Sequence, residues 1–145
     1  MRVALAQAGR AAALGEVPVG AVVMRGDSIL GEAHNETVAR NDPTAHAELL
    51  ALQRALAASA RDRLTGATLY ATLEPCAQCA GAIVLAKVGR VVYGARDDKA
   101  GMAGSVGDLL RHARLNHRLE VLGGVLAAEC GELLRGFFAE RRAAP

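Results

Sequence analysis

Aromatic side chains are almost missing from this sequence, which has two Tyr, two Phe and no Trp among 145 residues. Yet 52% of the chain is apolar, so its core must be built from Ala, Val and Leu, which suits helices packed closely on a sheet. Long hydrophobic runs are lacking as well. None approaches the ~20 residues that cross a bilayer, and no membrane partner is expected. The opening "MRVALAQAGRAAALGEV" holds no apolar targeting segment, because Gln7 and Arg10 interrupt it. An amphipathic first helix in a cytoplasmic protein is the expectation. Charge of one sign is also scarce. The net charge is +2, far from that of a polycation. Cysteine occurs three times, an odd number, with Cys130 far from the other two, and that is a poor disulfide framework. Cys130, in "AAECGELLRGFF", reads as a small buried helix residue.

What is present alternates between strand and helix patterns. Helical spacing runs over Met1–Leu14, then "PVGAVVM" and "SILGEAHN" read as strands joined by the turn "RGDS". "NDPTAHAELLALQRALAAS" predicts a helix with Asp42 as N-cap and Pro43 in its first turn. "ATLYATL" is a strand, "CAQCAGAIVLAKV" a helix, "RVVYGAR" a strand and "DDKAGMAGSVG" a Gly-rich loop. A short helix over Val106–His112, the strand "RLEVLGGV" and the helix "AAECGELLRGFFAERR" complete the pattern. No repeat or linker interrupts it. One α/β domain over residues 1–145 is expected, a three-layer α/β/α arrangement with a mixed sheet covered on both faces.

The two remaining cysteines stand three apart in "TLEPCAQCAGAIV", at the opening of a helix, so Cys76 and Cys79 face the same side. A helix N-terminus favours thiolate over thiol, and two adjacent thiolates call for a cation. Zinc suits them but takes four ligands. The histidines available are His34, His46, His112 and His117, and only His46 has company, with Glu48 two positions on in "PTAHAELL". A thioredoxin-type couple would need neither residue. If His46 joins the cysteines, a metal has three protein ligands and one open position, the arrangement of a catalytic zinc, and a nearby carboxylate can move protons. On a regular helix, residues two apart point to nearly opposite sides, so Glu48 converges with His46 only if the metal lies off the open end of the helix.

His-x-Glu followed by Pro-Cys-x-x-Cys is an established signature of zinc nucleobase deaminases, and "HAE" with "PCAQC" matches it. "EVPVGAVV", "DPTAHAELLAL", "ATLYATLEPCAQCAGAIV", "GRVVYGARDDKAGMAGS", "NHRLEV" and "ECGELLRGFF" extend the match nearly end to end. Over these segments the chain resembles the bacterial tRNA-specific adenosine deaminases, within the zinc-dependent cytidine/deoxycytidylate deaminase superfamily. That resemblance implies a five-stranded sheet, one Zn2+ per subunit on His46, Cys76 and Cys79, and Glu48 as proton shuttle to a zinc-activated water. It also implies adenosine-to-inosine conversion at the wobble position, a tRNA anticodon stem-loop as partner, and a homodimer. Asn35 would bond the flipped nucleoside, Asp97 would lie near the flanking nucleotides and Lys99 near phosphates. Asp98, Met102 and Gln78 depart from the pattern common in the family, and the Gln78 side chain is expected to point away from both sulfurs.

The distribution of charge agrees with a small RNA footprint. Between Ala86 and Arg118 there are seven Lys/Arg against three Asp, whereas the rest of the chain has ten basic and twelve acidic residues. Arg141 and Arg142, behind Phe137 and Phe138, could add to it; the two Phe read first as core. Two other readings share the motif. A deaminase of a free base or nucleoside, of guanine or cytosine type, would use the same four residues. A zinc-stabilised RNA-binding scaffold without turnover would have no need of Glu48.

Overall fold

The computed structural model describes residues 1–145. The elements follow the order α1 (Arg2–Ala13), β1 (Gly20–Arg25), β2 (Ser28–His34), α2 (Ala47–Ser59), β3 (Thr68–Leu73), α3 (Ala77–Leu85), β4 (Arg90–Ala95), β5 (Glu120–Leu122) and α4 (Ala127–Ala143). They form one five-stranded mixed sheet in the order β2-β1-β3-β4-β5. β1 runs antiparallel to both β2 and β3, while β3, β4 and β5 are parallel.

Two glycines explain how the layers stack without bulky aromatics. A Cβ on Gly20 would collide with the Ala4 carbonyl of α1, and one on Gly31 would lie 2.6 Å from the Ala51 carbonyl of α2. Gly31 pairs with Val23, three residues from Gly20 on β1, so the two contacts lie on opposite sheet faces. α1 touches α4 and α2 touches α3, giving one helix pair per face. The α1 residues turned inward are Ala4, Gln7, Ala8 and Ala11, a helical stripe of alanines interrupted only by Gln7. The core cluster is almost wholly aliphatic, with Leu52, Leu64, Leu69 and Ile83 sealed from solvent. Cys130 is buried where α4 crosses Gly94.

Three boundaries differ from the sequence expectation. α2 starts at Ala47, with His46 rather than Asp42 as N-cap. Asp42 instead closes a local turn, its Oδ1 accepting the backbone N–H (2.8 Å) and hydroxyl (2.7 Å) of Thr44. No helix forms over Val106–His112. There Ala103 and Asp108 bridge, Leu109 donates to the Met102 carbonyl, and Asp108 holds both the N–H and the guanidinium of Arg111. β5 is only three residues long, because Gly123 lies against the Tyr93 ring and Gly124 adopts φ +88°. Phe137 and Phe138 lie outside the core. Phe138 is exposed, and Arg141 stacks 4.3 Å from the centre of the Phe137 ring.

Candidate active site and metal centre

Both helix openings that carry the motif converge at one end of the sheet. His46 and Cys76 are each the N-cap of their helix, with extended backbone (φ −80°, ψ 148° and φ −77°, ψ 178°). Their side chains therefore leave the helix axis and lean over its open end. Nδ1 of His46 lies 3.5 Å from Cys76 Sγ and 3.6 Å from Cys79 Sγ. The three donor atoms all fall within 4.8 Å of one another, a group able to hold a metal ion. The helical objection to Glu48 disappears, since His46 is not a helical residue and Glu48 is in the first turn.

Electrostatics at this cluster are strongly perturbed. The Cys76 thiol is acidified to about 3, first by the hydrogen bond from Cys79 and then by His46. Cys79 is pushed up, by that same bond and by its burial. Cys76 is thus the sulfur favoured as thiolate, and a cation bound here would favour thiolate at both. The bond to Cys76 also raises His46 against the effect of burial. Glu48 is buried, which raises its pKa, with a hydrogen bond from Cys79 opposing. A buried carboxyl beside a metal-type cluster is placed to take up a proton and pass it on.

These groups face a cleft of about 400 Å3 whose lining includes Asn35, His46, Glu48, Cys76 and Asp97. A larger groove of about 680 Å3 lies between α1 and α4, lined by Leu5, Glu129 and Phe137 among others, and contains no metal-type cluster. The chemistry belongs to the smaller one.

Nearly the whole chain matches known deaminases. Residues 1–142 fit the MafB19-like deaminase family. The tRNA-specific adenosine deaminase of Bacillus subtilis (strain 168) is 47% identical over 98% of this chain and 88% of its own. The chain belongs to the tRNA-specific adenosine deaminase family. Among solved structures, one from work on A-to-I editing by tRNA:A34 deaminases at the wobble position is 38% identical, with TM-score 0.86 over 92% of this chain and 97% of its own. The guanine deaminase of Nitrosomonas europaea is further off, 26% identical with TM-score 0.77 over 94% of this chain and 81% of its own.

Within this deaminase fold the other expected residues divide. Asn35 follows directly on β2; its Oδ1 accepts the Ala47 N–H at 2.8 Å, and the residue lines the cleft. Asp97 also lines the cleft, its carboxylate taking the N–H groups of Lys99 (3.1 Å) and Ala100 (3.2 Å). Lys99 is exposed and outside the lining. Asp98 is exposed and paired with Arg96 at 3.2 Å, so it does not add a free carboxylate beside Asp97. Gln78 contradicts the expectation that it points away. Its Nε2 donates to the Thr44 carbonyl (3.0 Å) and lies 3.9 Å from Cys79 Sγ, tying α3 to the turn before His46.

Two residues that sequence reasoning missed frame the cleft. Glu16, only 1% exposed, accepts the N–H groups of Val38 (3.1 Å) and Ala39 (2.7 Å) and the Thr37 hydroxyl. Glu74, equally buried, accepts three backbone N–H groups and a hydroxyl from the segment Asp97–Ser105. Their one visible signal is a carboxylate flanking an otherwise apolar strand, in "EVPVG" and "TLEPC".

Proposed function

We propose that this chain, as one domain over residues 1–145, hydrolytically deaminates adenosine to inosine at the wobble position of a tRNA anticodon. Convergence of His46, Cys76, Cys79 and Glu48 on one nucleoside-sized cleft carries the reading. Tetrahedral zinc with Zn–S of ~2.3 Å and Zn–N of ~2.1 Å sets sulfur and nitrogen ~3.6 Å apart. The separations of 3.5 and 3.6 Å between His46 and the two sulfurs fit that requirement, and an imidazole with two thiolates is a zinc donor set. His46, Cys76 and Cys79 would hold one Zn2+, which when bound lowers the pKa of a water to about 7 and so supplies a nucleophile at neutral pH.

The side chains do the rest. Glu48 takes one proton from the attacking water and delivers it to the purine ring nitrogen beside the reacting carbon, then takes the remaining hydroxyl proton and hands it to the departing amine. Ammonia then leaves and the carbonyl of inosine remains. Asn35, with Oδ1 committed to Ala47, offers its Nδ2–H groups to the base. Asp97 and Ala100 form the loop side of the cleft where flanking nucleotides would pass, and Lys99 stands outside it for phosphate. The exposed Leu85, on the apolar "CAGAIVLA" helix, fits a second copy in a homodimer. The working location that goes with a tRNA substrate is the cytoplasm.

The free-base reading is the weaker alternative, favoured only by the more distant likeness to guanine deaminase. Product analysis separates them. Zinc-loaded protein is incubated with an anticodon stem-loop carrying wobble adenosine, and separately with guanine, cytosine, cytidine and adenosine. Inosine in the stem-loop alone is expected; turnover of a free base alone would keep the site and overturn the substrate.

A further inference from the structure

We propose that Glu74 is a positioning residue for substrate: its buried carboxylate sets the shape of the Asp97–Ser105 loop against the segment that presents Cys76. The loop has no helix or strand of its own. Its fixed points converge on one side chain. Glu74 Oε1 accepts the Asp97 N–H (3.2 Å) and the Ser105 hydroxyl, and Oε2 accepts the N–H groups of Ala103 (2.9 Å) and Ser105 (3.1 Å). Four donors satisfy a carboxylate that is 1% exposed, so burial costs it little and no free lone pair is left for proton transfer.

Neighbouring contacts fit the same arrangement. The Pro75 carbonyl accepts the Met102 N–H at 2.8 Å, and Glu74 N–H reaches the Ala95 carbonyl at 2.9 Å. Gly101 packs so tightly that a Cβ there would strike the Glu74 carboxyl group. Only glycine lets the loop wrap this closely. Only Pro75 separates Glu74 from Cys76 along the chain, and the far side of the same clasp holds Asp97, which lines the cleft. Loop and metal centre are thereby held in one frame, the kind of support a precisely shaped site needs.

This inference rests on the cleft being the site for the nucleic acid substrate. Its test compares wild type, Glu74→Gln and Ser105→Ala in steady-state turnover of the anticodon stem-loop, with zinc content and amide exchange measured on the same samples. Glu74→Gln places an NH2 against N–H donors. It should raise KM by about tenfold or more with kcat changed less than about threefold, as for lost binding common to ground and transition states. One zinc per chain should remain, and amide protection at Asp97, Ala103 and Ser105 should fall. Ser105→Ala keeps the carboxylate and the backbone bonds, and should move KM the same way by a smaller factor. A lower melting temperature with unchanged KM would make Glu74 a scaffold residue and overturn the proposal; so would unchanged protection across the loop. If Glu74→Gln does not fold, an unchanged KM for Ser105→Ala decides against it. If wild type leaves the stem-loop untouched, the substrate reading fails, while the exchange comparison still decides whether Glu74 fixes the loop.

Discussion

Asn35 Oδ1 accepts the backbone N–H of Ala47 at 2.8 Å, and this one bond joins the end of β2 to the first residue of α2. It satisfies a helix N–H that has no partner within the helix. It also marks where α2 begins, directly after His46, and Asn35 itself lines the cleft.

Asn35→Asp separates these two duties. The aspartate can still accept from Ala47 but offers no donor to a base. Losing one substrate hydrogen bond of about 1–3 kcal/mol should lower kcat/KM by roughly 5- to 150-fold. Thermal stability should stay within a few degrees. Steady-state kinetics beside a melting curve check both; an intact kcat/KM would remove Asn35 from the substrate contacts.

Glu16 supplies a pH-dependent contribution to stability. Burial alone would raise its pKa, but the N–H groups of Val38 and Ala39 and the Thr37 hydroxyl outweigh that and hold it below the ordinary carboxylate value of 4.5. A depressed folded pKa stabilises the fold above the unfolded value, and that stability fades as pH falls through the folded value. Glu16→Gln should therefore cost about 1–3 kcal/mol at neutral pH. The gap between wild type and variant should narrow steadily in urea titrations below about pH 4.5. A gap independent of pH would mean the ionised carboxylate is not what holds residues 37–39.

Lys99 is the residue proposed to meet the phosphates of the nucleic acid. It is exposed and forms no ion pair, so its charge is free for phosphate. Stem-loop binding should weaken linearly in log salt, and Lys99→Ala should reduce the slope by about 0.7, the share of one phosphate on a single strand. Fluorescence anisotropy across a salt series measures it. An unchanged slope would place Lys99 away from the backbone of the RNA.

Much of the fold was legible in the sequence because alternation and helical spacing depend on local residue type. The core strands β1, β3 and β4 and the helices α1, α3 and α4 fall where their patterns put them. What failed depends on contacts made from far away. "NDPT" resembles a helix start, but the start of α2 is set by Asn35 from another element, and the strand "RLEVLGGV" is cut short by Gly123 meeting the Tyr93 ring. The metal-type cluster of His46, Cys76 and Cys79, with Glu48 beside it, was readable because these residue types carry chemistry in a recognisable spacing. Glu16 and Glu74 were not, since their partners are mostly backbone N–H groups of irregular loops, which leave no side-chain pattern to find.

The most direct test of the account is Glu48→Ala, with inosine formed in the wobble stem-loop and zinc per chain measured on the same preparation. Glu48 is buried beside the His46–Cys76–Cys79 cluster, and it is the group assigned to move protons. The expected result is inosine formation reduced by at least about 100-fold, the order of general acid–base catalysis, with zinc retained at one per chain. Inosine formed at the wild-type rate with zinc in place would contradict the mechanism. Loss of zinc together with activity would show that Glu48 supports the metal site rather than serving as the proton shuttle.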